Sequence, residues 1–152
     1  MDRFQGLLVG TALGDSVGLP VEGLSPERAK RLFPGPWRQR LLPNTGLVSD
    51  DTEHAFFVTQ SLLEEPNDPL AFARRVAWRL RWWLLAAPAG VGFATLRATC
   101  RLWLGVPPQR SGVRSAGNGA AMRAPLLGAY FVDDHDRRRA FVTASTAITH
   151  GR

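Results

Sequence analysis

Apolar residues recur at three- and four-residue intervals from residue 3 almost to the end of this 152-residue chain. No stretch alternates apolar and polar residues long enough to make a strand. A chain with that one period has to bury helix against helix, so the expected class is all-α, a single domain over 1–152. Proline, glycine and short polar residues divide the pattern. Residues 3–14 open it, with glycine at 6, 10, 14 and 18, a four-residue spacing that lines one helical stripe. Glycine is costly inside a helix, so the stripe is expected to let another backbone come very close. Ser25-Pro26-Glu27 supplies an N-cap, a first-position proline and a first-turn acid for a short helix to Phe33. PGPW at 34–37 ends it, and a loop runs to Ser49.

The next helix is expected over 52–64, with Ala55, Phe56, Thr59, Leu62 and Leu63 at helical spacing. Asp68-Pro69 opens a longer one to residue 86, with Phe72, Ala73, Val76, Leu80 and Trp83 inward and Arg74, Arg75 and Arg79 outward. Another covers 93–104 and stops at Gly105 and Pro107-Pro108. A glycine-bearing loop, 110–119, precedes helices near 120–131 and 136–148.

Composition narrows the function classes. The net charge is +6, and Lys30 is the one lysine among 19 basic residues. Arginine forks suit phosphate or carboxylate, but here they are spread along helix faces rather than clustered among stacking aromatics. No nucleic-acid partner is therefore expected. Cys100 is the single cysteine, so no internal disulfide forms and a reducing compartment is implied. The apolar start is broken by Asp2, Arg3 and Asp15, which reads against a signal peptide. WWLLAAPAGVGFATL is too interrupted to span a bilayer. The expectation is a cytoplasmic protein with no membrane partner.

Four short pieces carry chemistry. SDDTE at 49–53 sets two carboxylates side by side at a helix mouth. Asp50 with Glu53 reads as a capping box, and acids at a helix start are favoured by the dipole. The alternative is a hard-cation site: adjacent side chains there diverge, so Asp50 and Asp51 could reach two ions, with the Ser49 hydroxyl adding an oxygen. GTALGDSVGLPVE at 10–22 ends on Glu22, either a surface acid or a third carboxylate aimed at the same place. SAGNGAAMR at 115–123 is either a helix-connecting loop with Asn118 as cap or an anion cradle of backbone N–H groups. Thr149-His150 is either ordinary surface or a ligand contact. His54 and His135 lack zinc spacing, and Cys100 has no nearby histidine in sequence.

In that order, GxxxGDxxGxPxE, SDDTE, GNGAAMR and TH, the pieces resemble the ADP-ribosylglycohydrolase family from about Phe4 to Gly151. The resemblance implies an all-α orthogonal bundle around two Mg²⁺ or Mn²⁺ ions. It also implies hydrolysis of a glycosidic bond between ADP-ribose and a protein side chain or small molecule. By position, Glu22, Ser49, Asp50 and Asp51 match the family's metal-proximal residues, with Glu22 or an aspartate as base for the attacking water. Gly92, Ser115, Gly117, Asn118, Gly119 and His150 match residues around the bound ADP-ribose. Asp15 matches a motif position expected to support the structure rather than bind an ion. Family members run to roughly twice this length and carry a second acidic motif, DxDDT, beyond it. VDDHD at 132–136 is the only other acidic cluster here and is expected to open the last helix. The sequence therefore reads as the N-terminal half of such a hydrolase, its metal shells to be completed by a C-terminal half or a second chain. The competing reading is a non-catalytic ADP-ribose-binding or structural relative.

Overall fold

The computed structural model describes residues 2–42, 45–88 and 90–151. Among them are eight α-helices and no strand. The helices are α1 (Arg3–Gly18), α2 (Pro26–Leu32), α3 (Asp50–Glu64), α4 (Pro69–Leu85), α5 (Phe93–Trp103), α6 (Pro108–Ser111), α7 (Ala124–Tyr130) and α8 (His135–Thr149). Two 3₁₀ turns, Leu19–Val21 and Asn118–Arg123, extend α1 and precede α7. The loop expected over 34–49 is described except at Pro43 and Asn44. Among the described residues no single helix is long and apolar enough to cross a membrane.

Local side-chain caps set four of the eight helix starts among the described residues. Ser25 accepts the Arg28 N–H at 3.3 Å, Asp68 accepts those of Leu70 and Ala71 at 2.8 and 3.1 Å, and Asp134 accepts that of Arg137 at 3.0 Å. Asp134 thus explains VDDHD as a helix opening. At α3 the cap differs from the expected Asp50–Glu53 box. Ser49 is the N-cap, and its hydroxyl accepts the Asp51 N–H at 3.3 Å. Glu53 instead accepts the Trp83 indole N–H at 2.6 Å. The expected helix near 120–131 is also divided: a 3₁₀ turn runs to Arg123, and α7 starts with Pro125 near its head.

α4 is the central element and packs against α3, α5 and α8. Its inward face, Phe72, Ala73, Val76, Leu80 and Trp83, is buried as expected, while Arg74 and Arg75 are exposed. Arg79 is nearly covered instead; it reaches Glu64 at 2.6 Å and Ser61 at 3.2 Å. Val58 and Leu62 from α3, Leu102 from α5, Leu127 from α7, and Phe141 and Ile148 from α8 complete one contiguous cluster. Full burial of a Phe or Leu contributes about 1.5–3 kcal/mol. On α3 only Ala55 and Leu62 of the five expected positions are buried; Phe56 and Leu63 face outward. The helix's buried stripe runs instead through Thr52, Ala55, Val58 and Leu62.

The glycine stripe of α1 is not a backbone contact. A methyl group placed at Gly10, Gly14 or Gly18 would meet nothing within 4 Å. Gly14 and Gly18 line an open cavity instead. The close backbone approach lies at Gly112, where a Cβ would sit 2.6 Å from the Ala147 carbonyl and 2.7 Å from the Gly151 nitrogen. There residues 112–113 pair with the end of α8: Gly112 N–H donates to the Ala147 carbonyl, Val113 N–H to Thr149, and Gly151 N–H to Val113. Two alanine substitutions should therefore diverge in thermal melts. Gly10→Ala should raise stability by about 0.5–1 kcal/mol through helix propensity. Gly112→Ala should lower it by about 1–3 kcal/mol through overpacking.

Candidate active site

The start of α3 is held by a residue on another helix. Asp15 of α1 accepts the Ser49 N–H and the Ser49 hydroxyl, each at 2.8 Å, and the Thr52 N–H and hydroxyl at 3.3 and 2.5 Å. Asp15 thus has the supporting role read from the sequence, since its oxygens are taken by protein donors. With the first turn fixed, Asp50 and Asp51 leave it in different directions and enter two neighbouring cavities.

The first cavity, about 460 Å³, is bounded by α1 and the 3₁₀ turn behind it and contains Glu22, Ser49 and Asp51, with Asp15 at its wall. The second, about 240 Å³, contains Asp50, Gly92, Ser115, Gly117, Asn118, Gly119 and His150. Three of the residues singled out from sequence thus line one cavity and seven the other. Two glycines are explained by close contacts. Gly90 has φ +79°, and a Cβ on it would lie 3.2 Å from Asp50 Oδ1. A Cβ on Gly119 would lie 3.0 Å from the His150 ring and 3.3 Å from Thr95 Oγ1. The loop differs from the expected cradle in one respect. It leads into a 3₁₀ turn rather than an α-helix, and the Ser115 hydroxyl is already used to accept the Gly117 N–H at 3.0 Å. The helix N-terminus facing this cavity belongs to α5. Gly92 is its N-cap, no side chain caps it, and Phe93, Ala94 and Thr95 of its first turn line the cavity.

The electrostatics of the two sides are opposite. Asp50 is half-buried, and its carboxyl is pushed up to about 6, first by desolvation and then by the charge of Asp51, with smaller contributions from Glu22 and Asp15. Asp51 is raised for the same reasons, burial and the charge of Asp15. Behind the second cavity lies Arg123, fully buried. Its guanidinium donates to Ser145 Oγ at 3.1 Å, the Ser145 carbonyl at 3.0 Å and Thr149 Oγ1 at 2.6 Å, and its remaining nitrogen sits 3.5 Å from His54 Nδ1. Among the described residues no carboxylate pairs with it. Burial lowers its pKa to about 10, so it stays charged at neutral pH. His54, buried in contact with it, is held far below the usual histidine range by desolvation and by that charge, and is neutral. His150 is shifted the same way by burial and Arg123, with the Gly117 backbone opposing the shift. Arg123 is the residue that sequence reasoning missed. It closes the GNGAAMR stretch, and the signal for it would have been a cation at the end of an otherwise small, apolar run.

Among the described residues no three His, Cys, Asp or Glu side chains converge as a ready-made metal centre. The donor chemistry nevertheless fits a hard dication. Every candidate ligand is an oxygen, and the Asp50 carboxyl is destabilised by like charges that a cation would offset. Ser49 Oγ keeps a lone pair after donating to Asp15 and accepting from Asp51.

Comparison with known proteins identifies the family. The family described as ADP-ribosylglycohydrolase matches residues 1–152. This chain belongs to the ADP-ribosylglycohydrolase family. It is 32% identical to a protein of Archaeoglobus fulgidus over 98% of its own length and 50% of that relative's. It is 30% identical to the protein YegU of Escherichia coli K12, over 84% of its length and 41% of the relative's. It is 28% identical to the ADP-ribosyl-[dinitrogen reductase] glycohydrolase of Rhodospirillum rubrum, over 98% and 51%. The chain spans about half the length of the curated relatives it matches.

The raised Asp50 pKa makes a stability prediction for the cation-free protein. The folded chain binds this proton more tightly than the unfolded chain, whose value is near 3.8. Asp50 therefore costs nothing below that value, costs more as pH rises towards about 6, and holds its full cost above it. Asp50→Asn removes the charge at constant size. In melts run with a chelator it should exceed wild type by about 1 kcal/mol at pH 8, after discounting for the half-exposed site, or about 2–4 °C. The gap should close near pH 4. Equal melting temperatures at pH 8 would show that the carboxylates do not crowd one another.

Proposed function

We propose that the chain forms one side of the active site of a metal-dependent ADP-ribosyl hydrolase, which cleaves the glycosidic bond between ADP-ribose and a protein side chain or small molecule. The observation that carries this reading is the cavity that joins Asp50 to His150. An uncapped helix start, a glycine-rich turn and a buried, unpaired guanidinium give its far end a positive character, and carboxylates give its near end a negative one. A diphosphate is favoured at the first end, and hydroxyl groups bound through cations at the second. An ADP-ribosyl group has both parts, with the ribose carrying the scissile bond at one extremity.

Glu22, Ser49, Asp50 and Asp51 would hold the two Mg²⁺ or Mn²⁺ ions, completed by water and by groups outside this chain. When bound, such ions orient ribose hydroxyls, lower the pKa of a bound water and offset charge as the glycosidic bond breaks. The chain's own residues do the rest. Glu22 and Asp51 share the larger cavity, so either carboxylate can accept the proton of a water attacking C1′. A new C1′–O bond forms, the bond from C1′ to the leaving nitrogen or oxygen breaks, and the proton passes to the leaving group. Gly92, Ser115, Gly117, Asn118, Gly119 and His150 seat the ADP-ribose. Small residues at 117 and 119 keep the wall close to the histidine. The substrate class includes an ADP-ribosylated protein, in line with the activity named for the Rhodospirillum rubrum relative. A cytoplasmic setting suits this reading, since ADP-ribose derivatives and reduced Cys100 belong there.

The test is release of ADP-ribose from ADP-ribosylated protein, and from small ADP-ribosyl compounds, with Mg²⁺ or Mn²⁺ and with a chelator. Turnover should need the metal, and Asp50→Ala/Asp51→Ala should lower it at least about 10³-fold while leaving the fold intact. Unchanged turnover in that double variant would overturn the metal assignment. ADP-ribose binding without any turnover, once the residues that complete the metal shells are also supplied, would favour the non-catalytic reading instead.

A further inference from the structure

We propose that Arg123 and Thr149 are positioning residues that fix His150 as the Nε2–H tautomer, so that the histidine offers the cavity a single N–H donor and selects a bare oxygen of the ligand. The argument is a matter of counting donors. A guanidinium has five N–H donors and no acceptor. Thr149 Oγ1, 2.6 Å from the Arg123 terminal nitrogen, must therefore accept from it. Among the described residues, the Thr149 hydroxyl proton is then left with one neighbour in hydrogen-bond range, Nδ1 of His150 at 2.9 Å. For that bond to form, Nδ1 carries the lone pair and Nε2 carries the proton. The opposite tautomer would set Nδ1–H against the hydroxyl and strand the hydroxyl proton without an acceptor.

The far end of this chain is open. His150 Nε2 is shielded from solvent and, among the described residues, makes no direct hydrogen bond, though the Gly117 backbone beside the ring favours a proton on it; His150 lines the cavity with Gly117, Asn118 and Gly119. A buried donor without a partner is unfavourable until something accepts from it. Arg123 itself cannot slip. It is fully buried, and Ser145 holds it through both its hydroxyl and its carbonyl. Ser145 and Thr149 lie one helical turn apart on α8, so a single helix face carries the cation's anchor and the relay. A ligand oxygen without a proton, such as a phosphate, ether or carbonyl oxygen, completes the chain. A ligand presenting N–H or a protonated group there leaves two donors facing one another and is rejected. That this oxygen belongs to ADP-ribose rests on the reading given above; the tautomer does not.

The two claims separate experimentally. Long-range proton–nitrogen correlation spectra of ¹⁵N-labelled protein, without ligand, report which ring nitrogen of each histidine is bare. The His150 signals are assigned by their loss in His150→Gln. Wild type should show bare Nδ1 and protonated Nε2 at His150. Thr149→Val, which keeps the shape and removes the hydroxyl, should shift a large share to Nδ1–H; Thr149→Ser should retain the wild-type pattern. In calorimetric titration with ADP-ribose, Thr149→Val should bind about tenfold more weakly, the size of one lost hydrogen bond, and Thr149→Ser close to wild type. Protonated Nδ1 in wild type, or an unchanged tautomer in folded Thr149→Val, would overturn the inference. If Thr149→Val does not fold, the wild-type spectrum alone decides it. A wild-type spectrum as expected with no ADP-ribose binding would uphold the relay and remove the ligand reading.

Discussion

Both oxygens of one carboxylate, Asp15, hold the first turn of α3, and the arrangement of the site depends on that attachment. A helix start has unsatisfied N–H groups, and the usual solution is a side chain just ahead of it. Here Ser49 does part of that work, and a residue on α1 does the rest, taking the N–H and hydroxyl of both Ser49 and Thr52. Two consequences follow. The Ser49 and Thr52 side chains are locked against α1, so α1 and α3 cannot turn independently. Asp50 and Asp51, relieved of capping, are free to point outward. Their mutual repulsion then becomes a local property of the site rather than a defect in the helix.

The second cavity has the reverse construction. A cation is buried, and its surroundings are hydroxyls, a carbonyl and a neutral imidazole, with no described acid among them. Burying a charge without a counter-ion is expensive unless hydrogen bonds replace the lost water, and three bonds from α8 do so. The result is positive potential at one wall and crowded carboxylates at the other, with Asp50 between them. Such a field orients any ligand with one anionic end before a single contact is made.

Much of the fold was legible because its signals are local. Ser25-Pro26, Asp68-Pro69 and Asp134 cap helices through atoms two or three residues away, and sequence shows that directly. The central face of α4 was legible because its period is unbroken. The failures share a cause: they depend on residues distant in sequence. The glycines of α1 border a cavity rather than a neighbouring backbone, and no spacing can distinguish those outcomes. Glu53 was read as a capping partner, but a tryptophan 30 residues away claims it. Phe56 and Leu63 fit the helical period, yet the face that α4 covers is a neighbouring one. At the site, the residues picked from motifs all reach one cavity or the other. Arg123 escaped notice because its meaning lies in Ser145 and Thr149, more than twenty positions on.

The short pairing of residues 112–113 with 150–151 joins segments 37 residues apart. It lies beside the C-terminal end of α8, which carries Ser145 and Thr149 and is capped by His150. Each of those residues therefore shares one fate. If that end frays, the guanidinium loses its acceptors, the imidazole loses its seat and the glycine strap loses its partner in a single event. Exchange of the amide hydrogens at Val113, His150 and Gly151 would then report one common opening.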